Sequence, residues 1–341
     1  HFGRRRTPLV NISDFISWTS FHNMAWWKIC VVAGGYVLLM IIRRITRQRR
    51  LCKSPETMKG KTAIITGANC GIGEATALEM AKRNARVILA CRDEQKAEDT
   101  VKYIRRNTSN GELVVRKLDL ASLASVRAFC GKVLEEERHI DVLVNNAGVF
   151  QSLYGKTEDG FEMQMGVNHF GHFLLTNLLL DRIKESAPSR IIVVSSSLHK
   201  GGTIKFDDIN SEKGYDKKKG YSNSKLANCL FSRELSQRMK GTGVNVYCLS
   251  PGFCPATSLG RHVMNGFVRT LLTPVVVLLG LKTSEEGCQT VIYCAVASEL
   301  ADVTDGYFAS CQQEPWSEAA GDLGAAKKLW ELSEKMTGMI A

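Results

Sequence analysis

The chain has 341 residues, 44% hydrophobic and 23% charged, which excludes a wholly disordered or collagen-like protein and suits one large domain or two ordinary ones. Its formal charge of +11 and pI near 9.1 invite a nucleic-acid-binding reading. The distribution argues against one: residues 1–53 hold ten basic side chains and the single acid Asp14, a share of +9, while the rest of the chain carries only +2.

From the N-terminus, Met24–Ile42 is a nineteen-residue stretch whose one charge is Lys28. About 20 apolar residues span a bilayer core, so the spacing predicts a transmembrane helix at about 24–42, with Lys28 snorkelling to the interface. Trp26 and Trp27 stand where amphipathic rings favour the headgroups, and the Arg43–Arg50 cluster puts the C-terminal side in the cytosol. A cleaved signal peptide would need a small-residue cleavage site where the arginines stand, and a peripheral or re-entrant segment is the other alternative. Asn11-Ile12-Ser13 is a glycosylation sequon on the expected lumenal side. The eleven cysteines form no Cys-x-x-Cys and suggest a reducing compartment rather than a disulfide framework or zinc site. The organisation expected is an anchor over 1–53 and one folded domain over 54–341.

In that domain short apolar runs alternate with helical patterns. Strands are predicted at Lys61–Thr66, Arg86–Cys91, Leu113–Leu118, Asp141–Asn145, Arg190–Val194 and Val244–Leu249. Helices are predicted at Glu74–Asn84, Asp93–Arg106, Ala121–Glu137, Gly160–Glu185 and Tyr221–Met239. This alternation implies an α/β fold, a Rossmann-type doubly wound parallel sheet. The turn Gly67-Ala68-Asn69-Cys70-Gly71-Ile72-Gly73 lies between a strand and a helix, where glycines let backbone approach a pyrophosphate and a helix N-terminus attracts it. Arg92, 19 residues after Gly73, stands at the end of the second strand, where an arginine favours a 2′-phosphate; this selects NADP(H) over NAD(H). Asp93 is the counter-argument, with a helix-start role of its own.

Further motifs follow in order: Asp119, Asn145-Asn146-Ala147-Gly148, Asn168, Ser195-Ser196-Ser197, Tyr221-x-x-x-Lys225 and Pro251-Gly252. Together with the glycine turn they resemble the short-chain dehydrogenase/reductase family over roughly 58–312. Tyr-x-x-x-Lys occurs twice. Tyr215…Lys219 sits in the charged stretch Lys213–Lys219, read as a solvated loop, whereas Tyr221…Lys225 opens a run with apolar Leu226, Ala227, Leu230 and Phe231. Positions i and i+4 share a helix face, which brings the ammonium of Lys225 near the phenol of Tyr221. A base useful near neutrality needs a pKa of ~7 against ~10 for free tyrosine.

The resemblance implies four roles. Tyr221 exchanges the proton, and Lys225 lowers the Tyr221 pKa and binds the nicotinamide ribose. Ser196, favoured over its two neighbours by the family pattern, bonds the substrate oxygen. Asn168 positions a water in the proton relay. It also implies that Asp119 meets the adenine, that Asn146, Ala147 and Gly148 lie along the cofactor, and that Pro251 and Gly252 line the nicotinamide. His169, His172 and His199 have no metal-ligand partners at useful spacing and are read as structural.

Tyr221 lies 25 positions after Ser196, and Leu198–Gly220 makes a lengthened loop. With Phe206–Glu212, Thr257–His262 and Lys328–Met336, that loop resembles the retinol dehydrogenase branch. The implied protein is a membrane-anchored oxidoreductase interconverting retinol and retinal, possessing a lipophilic substrate and a membrane lipid partner, and no nucleic acid. Endoplasmic reticulum is the expected membrane, with mitochondrial and lipid-droplet membranes as alternatives, and a homodimer is compatible with the family. Phe253–Leu281 is expected as an apolar substrate lid, with a plain core helix or a dimer contact as alternatives. Steroids or lipid-derived aldehydes are the alternative substrates, and a non-catalytic NADP(H)-binding scaffold the alternative class. Two departures stand out: Cys70 where the family has Thr or Ser, and Cys254-Pro255 after the Pro-Gly motif.

Overall fold

Strand β1 (Thr62–Thr66) is buried throughout, and its pleat turns Ala63 and Ile65 into one core and Ile64 into another. It belongs to a computed structural model that describes residues 30, 31, 33–38, 40, 51–254 and 282–340. With β1, the strands β2 (Arg86–Cys91), β3 (Glu112–Lys117), β4 (Val142–Asn145), β5 (Ser189–Val194) and β6 (Val244–Ser250) match the six predicted runs within about a residue or two. They form a sheet of order β3-β2-β1-β4-β5-β6-β7-β8, parallel except for the last pair. The order reverses between β1 and β4, and the crevice at the carboxyl ends there is where such sheets bind ligands.

Strands β7 (Gly306–Ala309) and β8 (Gln312–Glu314) were not expected. They are short and joined by Ser310 and Cys311, both at positive φ, +53° and +58°. A two-residue hairpin normally announces itself by Asn-Gly or Gly-x, and neither is present.

Helices α1 (Gly71–Lys82), α2 (Glu94–Asn107) and α6 (Ser284–Val296) pack on one face of the sheet. Helices α3 (Leu123–Glu136), α4 (Gly171–Glu185) and α5 (Lys217–Arg238) pack on the other. The C-terminal helix α7 (Leu323–Met336) is held there by Trp330, whose ring meets Phe173 at 4.9 Å and Phe231 at 5.7 Å. The predicted helix Gly160–Glu185 is divided: a helical turn at Met163–Met165 and a π-turn at Gly166–Phe170 precede α4.

Helix α5 starts earlier than predicted. Lys217–Lys219 form its first turn, and Asp216 caps it by accepting from the amides of Lys218 and Lys219. Three lysines oppose the helix dipole, but the cap and the apolar face of the following turns prevail. Tyr215 is not in a solvated loop either. Its phenol donates to the Ser152 carbonyl at 2.9 Å and accepts from Gln164 Nε2 at 2.7 Å.

Residues up to Gln48 form a unit of their own. Within it residues 30, 31, 33–38 and 40 are helical and exposed, and the remainder of the predicted 24–42 span lies outside the described residues, as does Asn11. Among the described residues no helix is long and apolar enough to cross a membrane. Of the expected lid, only Phe253 and Cys254 are described.

Candidate active site

The glycine turn joins β1 to α1 as the sequence implied. Gly67 and Gly71 have φ of +64° and +59°, in the left-handed region that favours glycine. A Cβ on Gly73 would lie 2.2 Å from the Gly67 carbonyl oxygen, so only glycine lets the helix close on the turn. Cys70 is the exposed N-cap of α1 and makes no side-chain cap bond, leaving the first turn, with Gly71 and Ile72, open to an anion. Asn69 is half-buried in the same turn.

Thr66 ties this turn to the end of β4. Its Oγ1 accepts from the amides of Asn146 and Ala147, both at 2.9 Å, while Asn146 Nδ2 donates to the Thr66 carbonyl at 2.8 Å. Gly148 lies beyond, where a Cβ would come 3.1 Å from Asn168 Oδ1 and 3.6 Å from Lys225 Nζ.

At the end of β2, Arg92 is exposed. Asp93 caps α2, accepting from the Lys96 amide at 3.1 Å and pairing with its ammonium at 3.0 Å. Asp119 follows β3, with Oδ1 accepting from the Ala121 amide at 3.0 Å.

The proton-handling side chains meet at the ends of β4 and β5. Tyr221, on α5, is 5% exposed and packs edge-on against Phe150 at 4.6 Å. Burial pushes its phenol up to about 12, and a hydrogen bond with Ser196 pulls the other way. Lys225, one turn on, is buried with Nζ 5.8 Å from the Tyr221 ring centre. Burial draws its ammonium down to about 8. The depressed tyrosine pKa expected from the sequence is therefore not what these side chains produce by themselves, because desolvation of the buried phenol outweighs its bond with Ser196.

Asn168 sits in the π-turn, fully buried. Its Oδ1 accepts from the Val149 amide at 2.8 Å, and its Nδ2 donates to the Val149 carbonyl at 3.0 Å and to Ser224 Oγ at 2.9 Å. Ser224 in turn donates to the Tyr221 carbonyl at 2.8 Å. Of the three serines, Ser195 turns inward and donates to the Lys225 carbonyl at 2.8 Å, Ser196 faces Tyr221, and Ser197 is exposed.

Pro251 and Gly252 follow β6 beside a cavity of about 290 Å³ lined by Ser197, Ser250, Gly252, Phe253, Lys282 and Tyr307 among others. The buried Lys282 donates to the Pro251 carbonyl at 3.1 Å and to Ser310 Oγ at 3.2 Å. Sequence reasoning puts Thr66 at the head of the glycine turn without giving it a role, and misses Phe150, Ser250 and Lys282. Thr66 was legible as the last residue of a strand before the glycine turn; the other three owe their place to tertiary packing.

A cofactor turn, a buried Tyr–Lys pair and an apposed serine on a sheet of this order define a class of nucleotide-dependent oxidoreductase. Residues 61–265 match the short chain dehydrogenase family model, and the chain belongs to that family, whose members bind a nicotinamide dinucleotide and act on CH–OH groups. Over 330 residues it is 51% identical to retinol dehydrogenase 14 of Homo sapiens, covering 91% of this chain and 97% of that one. A solved structure described as a putative uncharacterized protein from Mycobacterium paratuberculosis is 35% identical with a TM-score of 0.67, covering 83% of this chain and 95% of that one. The Pseudomonas aeruginosa RhlG/NADP active-site complex is 26% identical with a TM-score of 0.58, covering 74% and 95%.

Proposed function

We propose that the protein is a membrane-anchored, NADP(H)-dependent oxidoreductase interconverting retinol and retinal. The observation that carries the chemistry is the buried Tyr221 phenol beside Ser196, with the Lys225 ammonium one turn behind it and 5.8 Å from the ring centre. A phenol held at about 12 is protonated near neutrality, the state a general acid needs to reduce a carbonyl. Ser196 polarises the substrate oxygen, Tyr221 delivers the proton, and the Lys225 ammonium favours the phenolate left behind and would bind the nicotinamide ribose. Asn168 holds the Val149 segment against Ser224 of the tyrosine helix. The nicotinamide dinucleotide, when bound, supplies or takes the hydride.

Gly67, Asn69, Cys70, Gly71, Ile72 and Gly73 would hold the pyrophosphate, Asp119 the adenine, Asn146–Gly148 the inner cofactor edge, and Pro251-Gly252 the nicotinamide. The preference for NADP(H) is supported by the exposed Arg92 and by Asp93, whose carboxylate is already committed as a helix cap beside Lys96. The retinoid assignment is supported by the retinol dehydrogenase name of the 51% identical relative. Exposed Leu198 and Phe253, at 48% and 66%, offer apolar contact around the site.

The anchor is residues 24–42, and the catalytic domain faces the cytosol at the endoplasmic reticulum. A detergent-solubilised preparation given NADPH and all-trans-retinal should form retinol in preference to steroid ketones and lipid-derived aldehydes. Faster turnover of either rival class would reassign the substrate.

A further inference from the structure

Behind Asn168 lies a second buried side chain that joins the cofactor turn to the proton-handling residues. His172 sits four positions further along the helix, 2% exposed. Its Nδ1 is 3.1 Å from the Asn168 carbonyl oxygen and its Nε2 2.9 Å from Thr66 Oγ1. A carbonyl only accepts, so Nδ1 carries the hydrogen. Burial holds the imidazole neutral, which leaves Nε2 a lone pair in need of a donor. The Thr66 hydroxyl is that donor. Its oxygen already accepts the amides of Asn146 and Ala147, and the other acceptor within reach of its hydrogen, the Val144 carbonyl, is farther away at 3.3 Å.

The bonds then run in one direction, from the Asn146 and Ala147 amides through Thr66 and His172 to the Asn168 carbonyl. The next residue at this spacing, Thr176, accepts from Asn145 Nδ2 at 2.8 Å. Asn168, His172 and Thr176 thus bind the Val149 segment, the end of β1 and the end of β4 from one helix. The junction falls at the π-turn, where the ordinary ladder of α-helical bonds is interrupted.

We propose that His172 is a positioning residue of this active site, locked as the Nδ1–H tautomer and tying the cofactor-turn threonine to the main-chain carbonyl of Asn168. It rests on the roles given above to Asn168 and the glycine turn. A shift of about an ångström in a catalytic group can cost a hundredfold in rate. His172→Leu removes both ring nitrogens at similar size, whereas His172→Gln can donate and accept at once. With full-length protein, NADPH and all-trans-retinal, His172→Leu should lower kcat/KM about tenfold or more and His172→Gln should recover most of the loss. Thr66→Val combined with His172→Leu should be no worse than the poorer single variant, because both break one chain of bonds.

A histidine that only fills space makes the opposite forecast: leucine tolerated better than glutamine, and losses that add. Either outcome overturns the proposal. NADPH binding, read by its fluorescence, separates this from the substrate assignment. A wild-type protein that leaves retinal unreduced refutes the retinoid reading, and the same ranking and non-additivity are then expected in NADPH affinity. Nitrogen NMR of the wild-type histidines needs no variant, and a His172 ring protonated on Nε2 alone would also overturn the assignment.

Discussion

The Lys225 ammonium donates to the Val194 main-chain carbonyl at 2.9 Å, so the lysine that serves the tyrosine also fastens α5 to the end of β5. Burial lowers this lysine from 10.5 to about 8, and the unfolded chain therefore binds the proton more tightly. Below about pH 8 both states are protonated and the cost is fully present, roughly 3 kcal/mol at most. It diminishes as pH rises from about 8 toward 10.5. Lys225→Met should raise stability near neutrality and flatten the alkaline gain, since Asn228 Nδ2 still lies 3.3 Å from the Val194 carbonyl. It should also abolish turnover. Urea titrations at pH values on either side of 8 test this, and a variant less stable than wild type refutes it.

Tyr221→Phe and Ser196→Ala should each reduce kcat by roughly a hundredfold or more while leaving NADPH binding largely intact. Because Tyr221 is held at about 12, reduction by the wild type should show no loss assignable to its phenol between neutral pH and about 10. Stopped-flow turnover and a fluorescence titration measure the two effects separately. Persistent turnover in Tyr221→Phe would falsify the assignment of the proton donor.

Arg92→Asp should weaken NADPH far more than NADH. The exposed guanidinium is the cation placed for a 2′-phosphate, and the new carboxylate would repel it. Equal effects on both cofactors would exclude Arg92 from that role.

Acid should destabilise the fold before it titrates many carboxylates. His169 and His172 are fully buried, and burial lowers them from 6.5 to about 3 and about 4. From about pH 6.5 downward the unfolded chain gains protons that the folded one does not. Stability should therefore fall as pH drops toward 4, by up to about 1.4 kcal/mol per pH unit for each ring. His169→Gln should remove about half of that slope in urea titrations at pH 7 and 5. A wild-type stability unchanged over this interval would show that neither ring is kept neutral.

Much of this architecture is local in origin, and so it was legible in the chain. β2 runs over the predicted Arg86–Cys91, because apolar runs of that length between turn residues have few other uses. Tyr221 and Lys225 share a helix face by arithmetic, and Gly67, Gly71 and Gly73 bring strand, turn and helix together through conformations other residues resist. Tertiary structure decided what depends on several segments at once. It turned Ser195 inward and Ser196 outward, raised the Tyr221 pKa where a cation in sequence suggested the reverse, and drew Lys217–Lys219 into a helix. It also placed Thr66, His172 and Lys282 against the site. Spacing along one strand or helix sets which residues can share a face, but burial and hydrogen-bond partners come from segments a hundred residues away, and those set protonation and position.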